Sequence, residues 1–212
     1  MYPAGNLFIP APHGRLEAIL KEPREGAARA VALVLHPHPL GSGTMHNKVV
    51  FRAASALNEA GLTTLRINFR GVGQCTGEHD EGRGETEDVR AGLDYLTAQY
   101  PEKPVTIAGF SFGSRVGMEV GIRDERVRDL ISIGTPVDKY DFSFLKSCRK
   151  PILFVHGDHD EFGSIDKLRA LMALLPAEAQ ARLEIIEGAD HFFEGRLDEL
   201  KRAITEFVNR ES

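Results

Sequence analysis

A chain of 212 residues suits one domain from residue 1 to residue 212 and is long enough to bury a full core without disulfides. Its 42% hydrophobic and 27% charged content is that of a folded globular protein, which excludes extended disorder. The net charge of −5 leaves no cationic surplus for neutralising phosphates, so no nucleic-acid partner is expected.

In chain order, Met1-Tyr2-Pro3-Ala4-Gly5 lacks the basic region and apolar core of a secretory leader. Leu7 to Ile9 and Leu16 to Leu20 are short apolar stretches joined by Pro10-Ala11-Pro12-His13-Gly14, which predicts an antiparallel pair. Ala30 to Leu35 (AVALVL) is apolar without alternation, the pattern of a strand covered on both faces in a parallel sheet. Val49, Val50, Ala53, Ala54 and Leu57 recur at helical spacing, with Gly61 closing the helix. A strand at Thr63 to Asn68 leads into a polar, glycine-rich loop, Phe69 to Gly84, that contains Cys75. Neither Cys75 nor Cys148 belongs to a C-x-x-C pair, so both read as free thiols of a cytoplasmic protein.

Thr86 to Tyr100 is predicted helical, with Glu85, Glu87 and Asp88 near its positive end. A strand beginning at Val105 and a helix reaching about Ile122 flank Gly109-Phe110-Ser111-Phe112-Gly113. Val127 to Ile133 and Pro151 to His156 are further strands. Ile165, Leu168, Leu171, Met172 and Leu175 mark a helix with Ser164 as its N-cap. Leu183 to Ile186 is the last strand, and Leu197, Leu200, Ile204, Phe207 and Val208 give a terminal helix. Alternation of this kind predicts an α/β fold: one doubly wound, mostly parallel sheet with helices on both faces. No apolar run approaches the ~20 residues that span a bilayer, so no membrane partner is expected.

Such sheets bind ligands beyond the carboxyl ends of their strands. There the sequence places His36-Pro37-His38-Pro39-Leu40-Gly41-Ser42-Gly43, then Ser111, then Gly157-Asp158-His159-Asp160, then Gly188-Ala189-Asp190-His191. The G-x-S-x-G pattern puts Ser111 at the apex of a sharp strand-to-helix turn whose flanking positions must lack side chains. A serine hydroxyl needs an imidazole to take its proton, and the imidazole needs a carboxylate to hold its tautomer. Serine, acid and histidine follow in that order, each on its own strand-end loop, the acid and histidine after two successive later strands.

These residues identify a resemblance to the α/β-hydrolase superfamily over nearly the whole chain. HPHPLGSGTMHNKVV (His36 to Val50) and NFRGVGQCTGEHDEG (Asn68 to Gly82) are similar to segments of small bacterial hydrolases related to dienelactone hydrolase. The resemblance implies that Ser111 is the nucleophile and His191 the general base. It also implies an oxyanion hole from the backbone N–H of Phe112 and one from the loop after His36. Pro37 and Pro39 have no N–H, which leaves His38 and Leu40, and Leu40 is taken as the donor. Related enzymes place the acid second, ahead of a Val-Pro pair, which favours Asp160 over Asp158, although Glu161-Phe162 stands here instead. Asp158 and Asp190 then read as turn residues. Dienelactone hydrolases proper use cysteine as nucleophile, so Ser111 is a departure.

The short stretch Gly134 to Lys150 leaves no room for the cap that many such hydrolases insert, so an open site is expected, with Leu40, Val72, Phe112, Val137, Phe162 and Phe192 as candidate apolar lining. The expected activity is serine-dependent cleavage of a small-molecule carboxylic ester with a short or accessible acyl group. Peptidase, thioesterase and lactonase chemistry use the same residues, and a non-catalytic binding module on the same fold is the alternative of a different class. His36-Pro37-His38 and His156 to Asp160 contain possible metal ligands, but both histidines that end strands are expected to be packed, so no metal is expected. Gly71-Val72-Gly73-Gln74-Cys75-Thr76-Gly77 misses the dinucleotide spacing by one residue and precedes no helix, so no cofactor is expected. Arg70 is expected to be structural.

Overall fold

The computed structural model describes residues 7–210; the stretch Met1 to Gly5, read above for a leader, and the last two residues of the 1–212 span lie outside the described residues. All strands belong to one eight-stranded sheet: β1 (Leu7–Ala11), β2 (Gly14–Lys21), β3 (Ala30–Leu35), β4 (Leu62–Ile67), β5 (Val105–Phe110), β6 (Val127–Ile133), β7 (Ile152–Gly157) and β8 (Arg182–Ile186). Their spatial order is β1-β2-β4-β3-β5-β6-β7-β8. The first two pairings, β1 with β2 and β2 with β4, are antiparallel, and every later one is parallel.

The helices are α1 (Lys48–Glu59), α2 (Arg83–Gln99), α3 (Phe112–Gly121), α4 (Ile165–Met172) and α5 (Leu197–Arg210). β3 shows why both sheet faces are covered. Val31, Leu33 and Leu35 pack with α2 and α3 residues such as Val89, Leu93 and Val116, whereas Ala30, Ala32 and Val34 pack with Val50 and Leu57 of α1 and Ile204 of α5. A strand apolar on both faces shows no alternation, and AVALVL has none. From β3 the chain first steps to β4 on one side and later returns to β5 on the other, so the strand order reverses between β3 and β5. In an open α/β sheet, a crevice forms beyond the strand ends at that reversal.

Several boundaries differ from the sequence reading for local reasons. Helix α2 begins at Arg83, three residues early, because Glu85 turns back and accepts the N–H of Gly82 at 2.8 Å and that of Asp80 at 3.1 Å. Those bonds satisfy backbone donors that the first turn leaves open. Glu85 and Asp88, placed by the sequence near the positive end of the helix, are fully buried. Ser164 stands at the N-cap of α4, but its hydroxyl makes no capping bond, and its N–H donates to Asp138 Oδ2 at 2.6 Å. Gly61, with φ +87°, lies one residue past the cap position held by Ala60. Cys75 and Cys148 are both free thiols. No helix among the described residues is long and apolar enough to cross a membrane.

The loop 69–82 is tied down by charge. Asp88 accepts from Arg70 at its backbone N–H (2.8 Å), Nε (3.1 Å) and Nη2 (2.9 Å), and His13 Nε2 lies 3.0 Å from its Oδ1. Burial opposes the charge on Arg70, but its bonds to Asp88 and Glu87 prevail and keep the guanidinium above its ordinary pKa. Arg70 is thus a structural anchor, as expected from sequence. Removing one partner of a buried pair strands the other charge, which costs several kcal/mol. Asp88→Ala should therefore lose about 3 kcal/mol or more of unfolding free energy, read from the urea midpoint at unchanged slope.

Candidate active site

Strand β5 and helix α3 meet at Ser111, whose φ of 54° and ψ of −120° lie outside the regions open to most L-residues. The turn persists because its neighbours have no side chains. A Cβ on Gly109 would meet the backbone of Gly113 and Ser114, and one on Gly113 would lie 2.5 Å from the carbonyl oxygen of His36. The Ser111 N–H donates to Ile133 O at 2.9 Å, locking the apex to β6. Phe112 is the first residue of α3, so its N–H has no partner within the helix.

The loop after β8 carries His191, only 2% exposed, to the same rim. Its Nε2 lies 2.9 Å from Ser111 Oγ, and its Nδ1 lies 2.8 Å from Asp160 Oδ2. Since an ionised carboxylate only accepts, Nδ1 carries the ring proton and Nε2 is left to accept from the hydroxyl. The Asp160 side chain is fully buried, and its second oxygen accepts the Phe162 N–H at 2.8 Å. Phe162, Phe110 and Phe192 surround the imidazole, with ring centroids 4.6, 5.0 and 5.2 Å from it. His156, buried at the end of β7, donates from Nε2 to Gly163 O at 2.6 Å and so closes the turn that presents Asp160. Asp158 is exposed and accepts the Gly188 N–H at 2.6 Å, tying the β7 and β8 loops together. Asp190 accepts the Glu194 N–H at 2.9 Å as a turn residue.

The loop after β3 requires a correction. Pro39–Gly41 forms a 3-10 turn capped by the His38 side chain, whose Nδ1 accepts the Leu40 N–H at 3.2 Å. That N–H is therefore committed, and the Leu40 side chain is 77% exposed. The N–H of His38 makes no bond among the described residues, which leaves this other sequence candidate as a free donor. His36 packs as expected: Nδ1 donates to Pro37 O at 2.6 Å, and Nε2 accepts the Phe69 N–H at 3.0 Å.

One feature had no signal in the sequence. The rings of His79, His38 and Phe112 are in mutual contact, with His79 centroid distances of 4.8 and 5.6 Å to the other two, which are 5.0 Å apart. Its Nδ1 is 2.7 Å from buried Glu85. Only Glu85 left a trace, as an acid three residues past a glycine before a helix.

Ser111 and His191 open into a cleft of about 490 Å³, walled by Pro37, His38, Pro136, Tyr140, Phe162 and Phe192. Of the expected apolar lining, Phe162 and Phe192 line it. Phe112 and Val72 are buried, Val137 packs against the core and Leu40 faces solvent. Pro136 and Tyr140 were not anticipated.

A family profile described as Alpha/beta hydrolase domain matches residues 30–206. The chain belongs to the α/β-hydrolase superfamily. It is similar to an alpha-beta serine hydrolase homologue from Coxiella burnetii, 37% identical with a TM-score of 0.90, covering 98% of this chain and 100% of that one. It is also similar to XC6422 from Xanthomonas campestris, a serine hydrolase without lid, 34% identical with a TM-score of 0.89 over 99% and 96% of the two chains. The uncharacterized protein RP471 of Rickettsia prowazekii is 39% identical over 209 residues, covering 95% of this chain and 87% of that one. This α/β-hydrolase is itself lidless: between β6 and β7 stand a turn and one short 3-10 segment, Ser143–Ser147.

Two tests follow from the packing of the hydrolase rim. Gly109→Ala drives a methyl into backbone that has nowhere to go and should cost about 3 kcal/mol by chemical denaturation. Burial holds His36 to a pKa of about 4, against 6.5 when free. The unfolded chain binds this proton near pH 6.5, whereas the folded chain refuses it until about pH 4, so stability falls as pH drops through that window. The loss should be on the order of 3 kcal/mol. His36→Gln should flatten that part of the stability–pH curve relative to the parent.

Proposed function

We propose that this hydrolase cleaves carboxylic esters with short or accessible acyl groups through a covalent acyl-enzyme. The observation that carries the reading is the unbroken chain of contacts from Ser111 Oγ through His191 to buried Asp160. In this reading His191 Nε2 takes the hydroxyl proton as Ser111 Oγ attacks the acyl carbon, and Asp160 stabilises the imidazolium without taking its proton. The negative oxygen of the tetrahedral intermediate meets the backbone N–H groups of Phe112 and His38, each a donor without a partner among the described residues. A single such donor contributes about 3 kcal/mol to lowering the barrier.

Collapse of the intermediate breaks the bond to the alcohol oxygen, which leaves with the proton from His191. Water then attacks the acyl-serine, again giving its proton to Nε2, and the acid departs as Ser111 regains its hydrogen. The apolar, lidless cleft supports small, accessible acyl groups over extended chains that need a covered tunnel. His79 supports the reading, because its ring contacts the side chains of both proposed donor residues.

A fluorophosphonate should label Ser111 stoichiometrically, and absence of labelling on folded protein would point to a binding module. Ser111→Ala and His191→Ala should each lower turnover about 10^4-fold, with the double variant little worse than either. Asp160→Asn should be severe and Asp158→Asn mild; the opposite pattern would exchange the two acids. A series of p-nitrophenyl esters should favour short chains.

A further inference from the structure

The cleft has an electrostatic character opposite to that of the whole chain. The protein carries 31 acidic and 26 basic residues, yet no aspartate or glutamate lines the space around Ser111, where Lys139 stands instead. Lys139 sits on the tight turn after β6, where its N–H and that of Tyr140 both donate to Pro136 O. Its neighbour Asp138 is already taken, by the Lys167 ammonium and the Ser164 N–H. Lys139 therefore has no carboxylate partner among the described residues. Its Nζ rests 5.5 Å from the centroid of Phe162, a ring that also contacts His191, with ring centroids 4.6 Å apart. The ammonium and the imidazole thus touch the same aromatic ring.

The other polar groups of the lining point the same way. Asn47 uses its Oδ1 to accept the Val49 N–H at 2.9 Å, which leaves its amide NH2 as the available half. The hydroxyl of Tyr140 has no hydrogen-bond partner among the described residues. Beside Ser111, His191 and His38, the cleft therefore offers an amide NH2, a hydroxyl able to donate and one positive charge against an apolar wall. A neutral acyl chain would use none of them.

We infer that the preferred substrates are esters carrying a carboxylate held by Lys139 in the same cleft as Ser111 and His191. This rests on the ester-hydrolase reading above and adds to it the charge of the substrate. The carboxylate belongs to either the acyl or the alcohol half, and the two arrangements separate experimentally.

The test compares matched pairs of esters by kcat/KM. On the acyl side, the p-nitrophenyl half-ester of adipic acid is set against p-nitrophenyl hexanoate. On the alcohol side, 4-carboxyphenyl butyrate is set against 4-carbamoylphenyl butyrate. In at least one pair the anionic ester should be preferred, and the pair that shows it identifies the half that carries the charge. Lys139→Gln should lower that anionic-to-neutral ratio about fivefold, as expected for a solvent-accessible ion pair. Lys139→Glu should lower it further, Lys139→Arg should retain it, and added salt should shrink it in the parent alone. Good turnover of neutral esters with ratios that Lys139→Gln leaves unchanged would overturn the assignment of Lys139 while leaving the catalytic reading intact. No turnover of any ester, together with no fluorophosphonate labelling of Ser111, would overturn both.

Discussion

The structure depends on the close approach of helix α3 to strand β5, which holds one serine in a backbone conformation that serine does not choose. The strain is local, but what resists it is not. Gly113 lies against the end of β3, Gly109 against the start of α3, and the apex N–H is bonded to β6. Three neighbouring strands therefore hold the position of one hydroxyl. A side chain placed on an ordinary loop would sample many positions, whereas this one stands within hydrogen-bond reach of an imidazole 80 residues away.

Around this point the fold places polar groups where burial would otherwise penalise them, and supplies each with partners. Asp160 is held by a backbone N–H and the His191 ring, and Asp88 by the Arg70 guanidinium and backbone. Glu85 holds His79 and the start of α2 together. These networks fix loops that would be mobile if they depended on their own polar sequences. The loop 69–82 has few apolar anchors, and its position beside His38 follows from two buried carboxylates of α2. The same helix that packs Val89 and Leu93 into the core thus also sets the wall beneath the cleft.

Much of this was legible in the residues. Unalternating runs such as AVALVL reported strands covered on both faces, and glycine and proline marked where they ended. The G-x-S-x-G turn carries its own steric logic, so Ser111 could be placed before any coordinates. His191 and Asp160 could be placed by their positions after successive strands. Arg70 and His36 were read correctly as packed groups. Boundaries were less legible: α2 starts early because Glu85 bonds backward, a contact that depends on a side-chain conformation.

The sequence by itself determined the sheet, its winding and the rim on which serine, acid and histidine stand, because periodicity and chain order are properties of the chain alone. Only the tertiary structure decided which loop N–H stays free. The chain leaves both His38 and Leu40 as candidates and the sequence reading takes Leu40, but the turn at Pro39–Gly41 folds the His38 imidazole back onto the Leu40 amide and spends it. Likewise only the fold brings His79 into contact with His38 and Phe112, and sets Lys139 against Phe162 with its neighbouring acid already paired. Those outcomes turn on side-chain directions and on competition for partners across distant segments, and no local pattern in the sequence records them.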